Sequence, residues 1–492
     1  MSTNSETLLR TRLALLSERL LSLPATSRAL LLDTLQMIQQ GGSSLASATA
    51  EAVRANMRHL SAEAVERALE LLGLSRPTPR RRVVVTGLGA VTPVGLTAAE
   101  TWQNLVAGQS GVDYVTLFDA SPYPTRIAAE IKDWDPRPYI ESKEAKRMAR
   151  STQITIGAAT QALRDAGLPT DGSLGERTGV VMGTGIGGFD LYQEAITEAV
   201  QRGGNYRVRP MTAVGGLANI AAFHISEMFG ALGPLNTVVT ACAAGTQAIG
   251  EAAELIRRGV VDRVITGGFE AMIGDLFFAS FTAMKAISTQ NDPPQKASRP
   301  FDAKRDGFVI GEGAAVLILE ELEHAKARGA RIYAEILGHS ASADAYHVAA
   351  PEPEGLGAQR AMRWALLDAD VRPEDVDYIN THGSSTPLND KTETYAIKQV
   401  FGEHAYNLVI NSTKSMIGHA FGGAGAIEAL ATIMSVYEDR VHPTINYEYP
   451  DPECDLDCVP NVARHKVINV ALSNSFGLGG QNACVVIGKY RE

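Results

Sequence analysis

A layered α/β protein behind a helical N-terminal extension is the fold class the sequence predicts, and three observations carry that expectation. The chain has 492 residues, 45% hydrophobic and 20% charged, enough apolar material for a large core. Its charge is unevenly divided: Met1 to Arg82 holds 11 Arg, no Lys and 7 Asp and Glu, a local excess of +4 in a chain of net charge −10. The texture changes at the same place, from leucines at helical spacing to Val/Ile runs, tight glycine turns and Ala-rich helices, the alternation of strands and helices packed in layers.

In chain order, Leu9, Leu13, Leu16 and Leu20, then Leu31, Leu35 and Ile38, predict two helices separated by Pro24, the second broken at Gly41 to Ser44. A third starts at Ser61 as N-cap and ends at Gly73, and Leu74 to Arg82 reads as a linker. Strands follow at Val83 to Gly89, Gly179 to Gly183, Thr237 to Thr240, Val264 to Gly267, Ala314 to Leu319, Ile332 to Leu337, Tyr378 to Asn380 and Cys484 to Ile487. Between them, Thr152 to Ala166, Gly245 to Arg258, Leu356 to Ala369 and Ala424 to Val436 read as helices. The N-terminus has no basic stretch leading into an apolar run and no segment approaches the roughly 20 apolar residues of a membrane span, so neither secretion nor insertion is expected. Net negative charge argues against a nucleic-acid partner. Four cysteines, Cys242, Cys454, Cys458 and Cys484, are too few for a disulfide framework and read as free thiols in the reducing cytoplasm.

Cys242 stands where the β-branched run Thr237-Val-Val-Thr240 meets an Ala/Gly-rich helix start. A sulfur at such an elbow faces unpaired N–H groups and the positive end of the helix dipole, which favours the thiolate and makes a nucleophile; taken alone, a small thiol that simply packs is the commoner reason for a cysteine there. His382 follows a short strand in a hydroxyl-rich turn, Asn380-Thr-His-Gly-Ser-Ser-Thr-Pro387. Lys414 and His419 lie five residues apart ahead of the Ala424 helix, and Ser473-Asn-Ser-Phe-Gly-Leu-Gly-Gly480 is a glycine loop, or only a tight hairpin. Cys454 and Cys458 have i, i+4 spacing but no Cys/His pair to complete a zinc site, so no metal is expected.

The joint order of a Thr-Ala-Cys elbow at Cys242, a His-Gly-x-x-Thr turn at His382, a Lys-x-x-x-x-His segment at Lys414 to His419 and an Asn-Ser-Phe-Gly loop at Phe476 resembles the elongating β-ketoacyl-acyl-carrier-protein synthases, condensing enzymes of the thiolase superfamily. Ser298-Arg-Pro-Phe-Asp302, Arg305 to Gly313 and Pro443-Thr-Ile-Asn446 also look like this family, and the likeness spans about Arg82 to Lys489. It implies a thiolase-like fold of two duplicated βαβαβαββ halves, residues 81–330 and 331–492, behind an extension and linker at 1–80; the duplication itself is not visible in the residues. It implies an acyltransferase of fatty-acid elongation: Cys242 as nucleophile, the N–H groups of Cys242 and Leu478 as oxyanion hole, and His382 and His419 as donors to a malonyl-derived enolate. Lys414 would orient the histidines, with Glu428 as its counter-charge and Glu312 structural near the site. Phe476 and Leu478 would form the gate, Ser384 and Thr386 would bind phosphopantetheine, and Leu217 would set the depth of the acyl pocket. Family members usually carry Phe at the Leu478 position and Thr at the Ser384 position. No tightly bound cofactor is implied; substrates would arrive on the phosphopantetheine of acyl carrier protein, to a homodimer pairing near Thr237 to Thr240. The basic extension lies outside the likeness and is expected to dock a partner or cap the dimer. Two rivals remain: a polyketide ketosynthase with the same Cys-His-His set, and a non-catalytic chain-length-setting subunit, which lacks the elbow cysteine.

Overall fold

The Val/Ile runs form ten principal strands: β1 Val83–Val91, β2 Thr178–Gly183, β3 Leu235–Val238, β4 Arg263–Glu270, β5 Gly313–Glu321, β6 Ala334–Ala343, β7 Tyr378–Asn380, β8 Val409–Asn411, β9 Val470–Gly477 and β10 Gln481–Gly488. This is a computed structural model describing residues 80–204 and 208–492. The three helices expected before Gly73 and their linker to Arg80 fall outside the described residues.

The strands hydrogen-bond in the order β8-β7-β9-β10-β6-β1-β5-β4-β2-β3. Outward from the middle, one side runs 1-5-4-2-3 and the other 6-10-9-7-8, the same path with each label raised by five. Directions repeat as well: β1/β5 and β5/β4 are antiparallel and β4/β2 and β2/β3 parallel, as are β6/β10, β10/β9, β9/β7 and β7/β8 in turn. Only Val83 to Val85 of β1, paired with Ala334 to Ile336 of β6, join the two five-stranded halves. The duplication hidden in the residues is therefore explicit in the topology, and each half reads βαβαβαββ, the first with an added helix between β4 and β5.

Helix α1 (Arg150–Asp165) covers β1 and β5 on one outer face, with α2 (Ile220–Phe229) beside it, while α5 (Leu356–Ala369) and α6 (Pro387–Phe401) lie on the other, α5 against β6 and β10. Helices α3 (Ala244–Arg257) and α7 (Ala424–Glu438) pack against strands of both halves and form the middle layer. Helix α4 (Asp275–Ala283) follows β4 near the site. Covered on both faces, β1 and β5 are apolar runs rather than alternating strands, as buried strands should be. The middle layer closes because its contact residues are small: a Cβ on Gly245 of α3 would stand 2.8 Å from the Ala426 nitrogen of α7. That contact brings the N-terminal ends of the two helices together, and the site is built there.

Candidate active site

Cys242 sits where strand becomes helix. Thr237 and Val238 end β3, which spans Leu235–Val238 rather than Thr237 to Thr240, and Ala241 turns the chain at a left-handed φ of 49°. A 3₁₀ turn over Ala241–Ala243 then leads into α3. The C-terminal half repeats the device: Phe421 has φ 44°, Phe421–Gly423 form a 3₁₀ turn, and α7 follows. Cys242 and Gly422 thus hold equivalent places.

His382 follows β7 and His419 precedes the second turn, yet their rings lie 5.3 Å apart, nearly edge to face at 78°. Both are buried. The N–H groups of His382 and Gly383 donate to the two oxygens of Glu393, each at 2.8 Å. Lys414 Nζ donates to the His382 carbonyl at 2.7 Å, ion-pairs with Glu428 and stands 3.4 Å from His382 Nδ1. His419 is stitched to the Arg305 to Gly313 segment, donating to Val309 O at 2.7 Å and accepting from Gly311 N at 2.9 Å. Its Nδ1 accepts the Phe421 N–H at 3.2 Å. With Nδ1 of His419 an acceptor, and Nδ1 of His382 facing an ammonium, both neutral rings carry their hydrogen on Nε2. Burial first, then Lys414, holds both imidazoles well below the usual 6.5, so they are neutral donors.

The sulfur departs from expectation. Burial pushes the Cys242 thiol up to about 11, although the N–H groups of Leu478 and Cys242 and the charge of Lys414 favour its thiolate. Its apolar neighbours, among them Met272, Phe281, Phe308 and Phe421, exclude the water a thiolate needs, and the helix end does not outweigh that loss. The sulfur therefore rests as a neutral thiol.

One cavity of about 450 Å³ is lined by Cys242, His382, His419, Ser384, Thr386, Phe476 and Leu478. The Ser384 and Thr386 hydroxyls lie 2.9 Å apart, and Thr386 also caps α6 by accepting the Asn389 N–H at 3.3 Å. The Phe476 ring lies 5.9 Å from that of His382. Leu478 occupies the hairpin between β9 and β10, where Gly479 donates to Val348 O at 2.8 Å and Asp344 N donates to Gly480 O at 2.8 Å. Two expected residues stand apart. Leu217 is 48% exposed and does not line this cavity. Glu312 is fully buried away from it, accepting the Ile131 N–H and both Nε and Nη2 of Arg150 at 2.7–2.8 Å.

Sequence reading missed Glu393 and Glu270. Glu270 is an acid closing an apolar strand, a signal that could have found it, whereas Glu393 lies in the polar first half of a helix and carries no such mark. Burial raises Glu270, Glu393 and Glu428 to about 7 each. Around Lys414 and Glu393, Asn380 Oδ1, Ser473 Oγ, Asn474 Oδ1 and Glu428 Oε2 are buried oxygens with no hydrogen-bond partner among the described residues. Asn380 and Ser473 are cross-strand neighbours. Glu254, His339 and Asp368 also cluster, but Arg257 already supplies positive charge to the two carboxylates. Cys454 and Cys458 are buried in the C-terminal core.

Residues 80–325 match the family model described as "Beta-ketoacyl synthase, N-terminal domain", and residues 333–448 match "Beta-ketoacyl synthase, C-terminal domain". The chain is 50% identical over 412 residues to "3-oxoacyl-[acyl-carrier-protein] synthase 2" of Synechocystis sp., covering 84% of this chain and 99% of that one. The protein of the same description from Staphylococcus aureus is 47% identical over 410 residues, 83% and 99% of the two chains. Among solved structures, a type II polyketide ketosynthase bound to the hexaketide and in complex with its acyl-carrier protein is 36% identical with a TM-score of 0.78, covering 84% of this chain and all of that one. A beta-ketoacyl synthase from Burkholderia phymatum is 35% identical with a TM-score of 0.77, at the same coverage.

Proposed function

The chain belongs to the beta-ketoacyl synthase family, and from that premise we propose a decarboxylative condensation at the cavity that Cys242, His382 and His419 share. It is an acyltransferase, a β-ketoacyl-acyl-carrier-protein synthase of fatty-acid elongation whose substrates ride on carrier phosphopantetheine. Identities of 47–50% to proteins described as 3-oxoacyl-[acyl-carrier-protein] synthase 2, against 35–37% to the polyketide and other ketosynthase structures, favour elongation over a polyketide pathway. The elbow cysteine speaks against a chain-length-setting subunit.

In the first half-reaction the Cys242 sulfur attacks the carbonyl carbon of an acyl thioester. The carrier thiol leaves with a proton and the acyl group stays on the cysteine. Cys242 and Leu478 N–H groups hold the tetrahedral oxyanion, donors that need no titration. In the second, the malonyl thioester loses CO₂, and the electrons of the broken C–C bond pass to an enolate whose oxygen accepts both Nε2–H groups. Phe308 and Phe421, packed on His419, keep water from a carboxylate that loses its charge on leaving. The carbanion attacks the Cys242 thioester, and collapse expels the Cys242 sulfur, which takes up a proton from solvent, and releases a 3-oxoacyl chain two carbons longer. Lys414, tied to Glu428 and to the His382 carbonyl, fixes the ring that donates, and Ser384 and Thr386 at the mouth bind the phosphopantetheine arm.

Carrier protein is the proposed partner, in the cytoplasm, and a second copy of the chain the other. Four free cysteines support a reducing compartment. Among the described residues no helix is long and apolar enough to cross a membrane. Strand β3 is a sheet edge flanked by exposed Leu232, Leu235, Val239 and Phe223, a surface that suits antiparallel pairing with its copy in a homodimer. The grouping of sulfur and imidazoles in one cavity carries the reading. Cys242→Ala tests it: acyl transfer and condensation vanish while malonyl-carrier decarboxylation, followed by CO₂ release, persists. Parallel loss of both activities would contradict the division of labour.

A further inference from the structure

Glu270 ends β4 with no part in the chemistry above, yet it is fully buried and five donors converge on its carboxyl. Oε1 accepts from Thr184 Oγ1 at 3.0 Å and from the Ile186 and Gly187 N–H groups at 3.3 and 3.2 Å. Oε2 accepts from the N–H of Gly185 at 2.5 Å and of Gly422 at 3.3 Å. Four donors come from the turn after β2; the fifth comes from the other half of the fold.

That fifth contact sits beside a strained residue. Phe421, with φ 44°, holds a left-handed conformation that side chains of its size rarely adopt. The turn aims its N–H at His419 Nδ1, 3.2 Å away, and lays its ring on the imidazole with centroids 4.8 Å apart and planes within 11°. Such a conformation persists only where its surroundings over-determine it. Here the backbone is pressed against the β2 turn, since a Cβ on Gly422 would come within 2.3 Å of the Gly185 nitrogen. The same Glu270 oxygen accepts from both sides of that contact.

We infer that Glu270 is a positioning residue for His419: by accepting the Gly422 N–H it holds Phe421 in its left-handed turn, which keeps His419 Nδ1 an acceptor and leaves Nε2 as the donor. The inference rests on the reading of His419 as an enolate donor. Glu270 does not line the cavity, so it acts through the backbone and touches no substrate.

Glu270→Gln replaces one accepting oxygen with an NH₂, and Glu270→Asp withdraws the carboxylate by one methylene. In both, kcat for malonyl-carrier decarboxylation falls about tenfold or more, while KM and the rate of Cys242 acylation stay within about threefold. In ¹⁵N-histidine spectra, the His419 ring, assigned by its loss in His419→Gln, moves away from the Nε2–H tautomer. Placed in a Phe421→Gly background, where glycine takes the turn without strain, Glu270→Gln costs no more than about twofold. Equal loss in both half-reactions, an unchanged His419 tautomer, or failure of both variants to fold would overturn the inference, the last because a carboxylate the fold itself requires is not reserved for the histidine. If the wild-type protein does not decarboxylate malonyl carrier, the functional reading fails while the tautomer measurement still decides on Glu270.

Discussion

The two halves of the molecule make the same turn for different purposes. After β3 a left-handed Ala241, a 3₁₀ turn and α3 present Cys242; after β8 a left-handed Phe421, a 3₁₀ turn and α7 present Gly422. One copy offers a sulfur, and the other keeps a bare backbone whose preceding residues deliver His419. The middle layer brings both turns to one cavity, so a duplicated scaffold unites the proposed nucleophile and the proposed enolate donors without either half containing all three residues. Chemistry is divided by half even though the backbone is not.

The largest expected effect tests that division. His382→Ala or His419→Ala, each removing one of two preorganised donors, lowers decarboxylation by roughly 10²–10³-fold. Acylation of Cys242, followed by mass spectrometry of the acyl-enzyme, falls far less, the reverse of Cys242→Ala. A histidine variant that lost both half-reactions to the same degree would mean the halves share their chemistry.

Next in size is the pH dependence of the sulfur. A thiol raised to about 11 is ionised only to the order of 10⁻⁴ at neutral pH, and its thiolate fraction grows about tenfold per pH unit below that value. Iodoacetamide inactivation should therefore accelerate about 100-fold from pH 7 to pH 9. A plateau near neutrality would show that the helix end and Lys414 outweigh burial after all. The neighbouring acids follow the same logic at lower pH: Glu393 and Glu428, raised by burial to about 7, make their full contribution to stability below the ordinary carboxylate range and lose it as pH rises through 7.

Legibility followed the same asymmetry. The Cys242, His382, Lys414 to His419 and Phe476 blocks stood out because polar or glycine residues interrupt apolar runs, and all four border one cavity. The halves do not match residue for residue, because equivalent places hold unlike residues, Ala241 with Phe421 and Cys242 with Gly422; what repeats is hydrogen-bond order. Helix α6 was not anticipated, for its buried side includes Asp390, Glu393 and Thr394, which erase an apolar period. Strand β9 hides Ser473, Asn474 and Ser475 inside, polar residues that break its apolar run. Leu217 was carried by likeness alone, with no local pattern behind it, and it lies at the surface of the chain.

The smallest expected effect asks whether the shared turn is strained in the half that carries the sulfur. An alanine at φ 49° brings its Cβ toward the following carbonyl, at a cost of about 1–2 kcal/mol that glycine avoids. Glycine gives back roughly 0.5–1 kcal/mol through the greater freedom of its unfolded chain. Ala241→Gly should therefore stabilise the protein by roughly 0.5–1 kcal/mol, raising Tm by about one or two degrees in a calorimetric scan. Cys242 acylation should slow a few-fold at the same time, because a looser turn holds the sulfur less firmly against the Leu478 N–H. A lower Tm would mean that Ala241 rests easily where it is, and that the likeness between the two turns is one of backbone shape without the strain that Phe421 carries beside His419.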